Sequence, residues 1–227
     1  MKRIFKKEGD LFMKKKKTIL AAAILLFLFI IGGAVAYFTD TDQKTNTFTI
    51  GSVDITVTED GWDALADTND NDIPDAAEDM MPGESVTKDP LINNVSTKSP
   101  AYVFAKVEVP CTTIVAPATT SEEIFTYTTN AGWTELSSAA VACTSGGTAT
   151  HVYYYGTGGT LTTLAKAANA TTPTSTSNPL FSTISLRSTL KGNEGLTGQK
   201  QVVVTGYGIQ TEGLASTAPA DVWANFD

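Results

Sequence analysis

After residue 36 of this chain apolar residues repeatedly recur at every second position, and that period decides what it can fold into. In Phe48-Thr49-Ile50-Gly51-Ser52-Val53-Asp54-Ile55-Thr56-Val57 the side chains of Val53, Ile55 and Val57 fall on one face of an extended strand. Apart from a few turns near the C-terminus, no segment sustains the i, i+3, i+4, i+7 spacing of an amphipathic helix. Further strands are expected over 85–93, 101–109, 124–129, 151–156, 180–186 and 201–211, giving an all-β chain. A sandwich of this size is commonly one undivided domain, and no repeat of fixed period interrupts it. The segment 165–178, AKAANATTPTSTSN, reads as a long polar loop. Gly156-Thr157-Gly158-Gly159, after the run Tyr153-Tyr154-Tyr155, reads as a hairpin turn.

The first 36 residues belong to export rather than to the fold. Lys14 to Lys17 precede the apolar run 19–31, which ends in Gly32-Gly33-Ala34-Val35-Ala36. A basic start, an apolar middle and small residues at Ala34 and Ala36 are what a signal peptidase requires. The run falls short of the roughly 20 residues that span a bilayer. The expected organisation is therefore a signal peptide over 1–36, cleaved to expose Tyr37, and one β-sandwich over 37–227. Removing the leader changes the charge: of 16 basic and 24 acidic residues it carries eight and two, leaving a mature net charge of −14. So acidic a surface argues against nucleic acid, which needs a basic footprint. No small-molecule substrate is evident.

Cys111 and Cys143 are the chain's two cysteines. In an exported protein they suit a disulfide, but spacing alone leaves open a pair of free thiols that never meet. The sharpest polar constellation is the run 67–78, inside an acidic loop over 60–80. Asp67, Asn69, Asn71, Asp75 and Glu78 stand at positions 1, 3, 5, 9 and 12 of a calcium loop, with the carbonyl of Ile73 at position 7. Asp72 occupies the turn position that favours glycine, a departure that aspartate tolerates better than most residues. The run also resembles the calcium loops of bacterial thrombospondin type-3-like repeats. Ca²⁺ is thus the one cofactor the sequence suggests, against the alternative of a plain solvated acidic loop.

The run 32–40, GGAVAYFTD, followed by Asn46-Thr47-Phe48-Thr49-Ile50-Gly51-Ser52-Val53-Asp54-Ile55, resembles the TasA and camelysin (CalY) proteins of Gram-positive biofilm matrices, whose leader is processed by a dedicated SipW-type signal peptidase. Trp62, Met81-Pro82-Gly83-Glu84-Ser85-Val86-Thr87-Lys88-Asp89-Pro90, Asn93-Asn94 and Ala101-Tyr102-Val103-Phe104-Ala105-Lys106-Val107 follow in that family's order, as do Val204-Thr205-Gly206-Tyr207-Gly208-Ile209-Gln210 and Trp223. The span 111–199 carries no resemblance and reads as a variable insertion. The resemblance implies a jelly-roll-like antiparallel β-sandwich with long loops and a short C-terminal helix. It implies a protein secreted to the cell surface or matrix that self-assembles as a homopolymer. There the freed N-terminal segment donates a strand to the next subunit; in this chain Phe38 and Phe48 are its expected anchors, because aromatics bury the most area in a groove. The same segment could pair within its own sandwich.

Catalysis has little support in the residues. His151 is the only histidine, so a His-Glu-x-x-His zinc site is ruled out and any His-based triad must use that residue. Three functions stay in play: a structural fibre subunit of the extracellular matrix, a cell-surface metallopeptidase of camelysin type, and a monomeric calcium-dependent adhesion module.

Overall fold

A computed structural model of the chain describes residues 53–114, 120–191, 196 and 198–226. The leader, its cleavage site at Ala34, Ala36 and Tyr37, and the proposed anchors Phe38 and Phe48 lie outside the described residues. The fold is all-β, as the alternation implies. Three antiparallel sheets are built from β1 (Ile55–Thr58), β2 (Ser85–Thr87), β3 (Leu91–Asn94), β4 (Ala101–Pro110), β5 (Phe125–Tyr127), β6 (Trp133–Glu135), β7 (Thr148–Thr157), β8 (Thr160–Leu161), β9 (Thr174–Ser175), β10 (Thr183–Leu186) and β11 (Val203–Gln210). Single helical turns, α1 (Asp60–Asp63) and α2 (Pro219–Trp223), complete it. The strand orders are β1-β3-β9, β2-β10-β5 and β11-β4-β7-β6, with β8 added to β7.

The third sheet is the core of the molecule. Along β4 the residues Ala101, Val103, Ala105, Val107 and Val109 are fully buried on one face and join Ile92, Leu180 and Phe181 in the main core. Phe104, on the opposite face, is equally buried beneath Trp223, Phe226 and Val222 of the C-terminal turn. A strand covered on both faces reads as a continuous apolar run rather than an alternating one. That explains Val152-Tyr153-Tyr154-Tyr155 of β7, whose members divide between the two clusters.

The first sheet closes over the third by crossing two glycines. A Cβ at Gly206 would lie 2.9 Å from Val57 Cγ2 and 3.0 Å from Ile92 Cδ1, and one at Gly208 would overlap Ile55 and meet Val53 Cγ1 at 2.8 Å. Val53, Ile55, Val57, Val202 and Val204 pack half-buried against buried Val103 and Val107. The predicted interior face is therefore a real one.

The structure corrects the expected strand over 85–93. Pro90 cannot donate to a ladder, and at Lys88-Asp89-Pro90 the chain leaves β2, paired with β10, to become β3, paired with β1. The polar loop 165–178 also departs from expectation: Thr174 and Ser175 form β9 on β3, and Thr176 is buried. β6 was not foreseen. Residues 111–199, read in sequence as a variable insertion, supply β5 to β10 across all three sheets. The hairpin turn is as read, with Gly158 and Gly159 at φ of 60° and 79° between β7 and β8.

Two substitutions test this packing. Val107→Ala should cost about 1–3 kcal/mol in a denaturant melt by leaving a buried void, and Gly208→Ala about 1–3 kcal/mol by overpacking. Wild-type stability in both would mean that the sheets do not meet as described.

Candidate functional site

Three features outside the core carry chemistry. The first is a cleft of about 640 Å³ between the end of β1, the 72–80 stretch, the second sheet and the start of β11. Its floor is apolar, formed by Val57, Val86, Phe125, Ile184, Val202 and Val204, and its rim carries Glu59, Asp63, Asp72, Lys88 and Lys200. One wall is fixed by a compact polar knot. The Asp89 carboxylate accepts the amides of Gly61 at 2.9 Å and Trp62 at 3.1 Å, meeting the free N–H groups of α1. Lys88 Nζ donates to Glu59 at 2.7 Å and lies 4.9 Å above the Trp62 ring. Beside the cleft runs β11, paired on one side with β4; among the described residues no strand pairs with its other side. It carries neither charge nor proline, the devices by which exposed edges usually refuse partners, and Val203 is exposed.

The second feature is the acidic loop. Asp67 accepts the amide of Asp72 at 2.9 Å and that of Asn71 at 3.4 Å, and Asp75 accepts the amide of Thr68 at 2.9 Å. The side-chain amides of Asn69 and Asn71 both donate to Glu78 Oε1. Asp70 and Asp72 have φ of 55° and 65°, so Asp72 does adopt the left-handed turn that its position demands. The loop thus gathers Asp67, Asn69, Asn71, Asp75 and Glu78 around one turn of chain. Among the described residues, no three His, Cys, Asp or Glu side chains are grouped as metal ligands would be.

The third feature ties two sheets together at one end. Cys111, just after β4, is bonded to Cys143, with Cα atoms 5.7 Å apart. Beside it His151 of β7 holds Glu135 Oε1 of β6 at 2.7 Å through Nδ1 and Glu123 Oε1 at 2.9 Å through Nε2. Those two carboxylates raise the imidazole from its ordinary 6.5 to about 9, Glu123 contributing most, against the opposing effect of burial. Tyr127 and Tyr153 join hydroxyls at 3.1 Å below it. Burial pushes Tyr153 up to about 12 and Tyr127 higher still, so both stay protonated at neutral pH.

Neither the cleft nor the His151 cluster was legible beforehand. The partners of His151 lie 16 and 28 residues away, and Lys88 is 29 residues from Glu59. Only strand register brings them together, and no local spacing encodes it.

The disulfide closes a separation of 32 residues. Its reduction should remove roughly 3–4 kcal/mol of stability in the chain-entropy account, seen as a lower melting temperature in reductant. Unchanged melting would show the bridge to be energetically idle.

The family model described as camelysin metallo-endopeptidase matches residues 11–122. No curated protein and no solved structure matches the chain. The matched stretch takes in the acidic loop, the Asp89 knot, the switch at Pro90 and all of β4; of the residues that carry the sequence resemblance it includes those up to Val107 and leaves out 204–210 and Trp223. Over that stretch the chain is similar to the camelysin metallo-endopeptidase family.

Proposed function

We propose that this protein is an exported structural subunit that assembles into extracellular fibres by donating its N-terminal segment, residues 37–48, to the next copy. The observation that carries the reading is the uncharged, proline-free edge of β11 beside an apolar cleft. Such an edge offers a row of main-chain donors and acceptors, and a neighbouring groove takes every second side chain of an added strand. The segment 37–48, YFTDTDQKTNTF, suits that role: it has aromatic and β-branched residues and no proline or glycine. Phe38 and Phe48 are its two largest apolar anchors. Donation from copy to copy is a head-to-tail contact, which propagates a filament unless the rotation closes a ring. The similarity of residues 11–122 to the camelysin family supports a place at the cell surface or outside the cell.

Imaging the purified protein beginning at Tyr37 tests this directly. It should form fibres, and a variant lacking residues 37–47 should stay monomeric. Equal polymerisation of the two would refute strand donation. A wild-type protein that stays monomeric at high concentration would favour an adhesion module.

We also propose that the 67–78 loop binds Ca²⁺. The convergence of Asn69, Asn71 and Glu78 supports it, since turning each side-chain amide by half a rotation brings its oxygen to the same place. Asp67, Asp75 and the carbonyl of Ile73 would complete a set of hard oxygen donors. Added calcium should raise the melting temperature by mass action and chelator should reverse it. Identical melts with no heat on titration would leave a solvated loop.

A further inference from the structure

The family description names a metal-dependent peptidase, and the donor chemistry of this chain disagrees with it. Catalytic zinc in proteins is held by about three protein ligands, drawn mainly from imidazole nitrogen, thiolate sulfur and carboxylate oxygen. The chain has one histidine and two cysteines in all 227 residues, and both sulfurs are committed to the Cys111–Cys143 bridge. The segment that matches the family, residues 11–122, contains no histidine. His151 is itself enclosed by two glutamates on opposite sides of its ring, Glu135 at Nδ1 and Glu123 at Nε2. A metal on either nitrogen would displace one of these bonds and find the other carboxylate out of reach across the ring. Nor can His151 serve as a general base while both nitrogens donate, because neither then carries a free lone pair.

We propose that this chain does not itself carry the metal-dependent hydrolysis for which that family is described, and that His151 acts instead as an ionic clasp locking the second sheet to the third. The elements it joins make the case. Glu123 stands just ahead of β5 in the second sheet, while Glu135 of β6 and His151 of β7 are diagonal neighbours in the third, Glu135 lying directly opposite Tyr153. Arg187, just past β10, donates through Nε to the carbonyl of Glu123 and so steadies the second sheet's half of the clasp. Among the described residues, further ionisable groups surround the ring. Tyr127 of β5 meets it edge-on at 6.3 Å, Tyr153 of β7 stacks at 6.3 Å, and Glu122 and Arg187 line the adjoining hollow of about 440 Å³, with Cys143 in its wall. A charge-assisted pair of hydrogen bonds to one imidazolium is among the stronger polar contacts a half-buried site can make.

The clasp has a pH signature of definite sign. Its folded pKa is raised, from 6.5 to about 9, so its stabilisation is fully present below pH 6.5 and is lost as pH rises through 9. Because the chain has a single histidine, its imidazole resonances are assigned without ambiguity.

The test uses the mature protein from Tyr37, with His151→Gln and, as a second route to the same break, Glu135→Gln. At pH 7 each variant should melt about 2–5 °C below wild type. The His151→Gln gap should close by pH 10.5, and the wild-type imidazole should titrate near 9 by NMR. With one equivalent of zinc, neither wild type nor variant should cleave a denatured protein substrate. Chelator-sensitive cleavage by wild type or by His151→Gln would overturn the proposal, as would an imidazole titrating at its ordinary value. The outcome is independent of whether the protein forms fibres.

Discussion

Two missing side chains let the rest of the molecule exist. At Gly206 and Gly208 the first sheet lies so close over β11 that a methyl group at either position would meet Val57, Ile92, Ile55 or Val53 at 3.0 Å or less. That approach seals the β4 face carrying Val103, Ala105 and Val107. Without it the longest buried ladder in the protein would be open along one side, and its burial is the dominant favourable term in folding. The same glycines also lie in β11, the edge strand of the third sheet, whose outer side no strand pairs with among the described residues.

The interior was readable because its code is local. Val53, Ile55 and Val57 alternate in sequence, and so do the buried residues of β4, hence both were recognised from period alone. Where faces are covered on both sides the period vanishes, and Tyr153-Tyr154-Tyr155 gave a strand but not the two clusters it serves. Pro90 should have signalled the break between β2 and β3, because a proline inside a strand pattern argues against a single strand. β6 and β9 are too short, at three and two residues, to show any alternation. Their place is set by the neighbours they pair with.

Polar sites divided in the same way. The acidic loop was visible because its donors are adjacent in sequence, and the structure gathers them round Asp67 and Glu78 with Asp72 turned left-handed. Asn94 stands in sequence in an Asn-Asn pair, yet it is a fully buried hub whose side chain ties together Ser96, Ser99 and Ala165. A buried amide survives only where every partner is met, and no sequence pattern specifies partners 71 residues away. The His151 clasp is the same case with charge added. A mature chain so rich in acid uses one of its few cations to hold two carboxylates together across the sheets.

The proposed assembly makes the β11 edge the surface through which copies of the protein meet. Hydrogen exchange at the amides of Val203–Gln210, read in the monomeric and then in the assembled mature protein, measures that edge directly. In a strand paired on one side, alternate amides face outward. The account predicts that these exchange quickly in the monomer and become protected in the fibre, while those bonded to β4 stay slow throughout. Fibres in which the outward amides of β11 exchange as fast as in the monomer would contradict it.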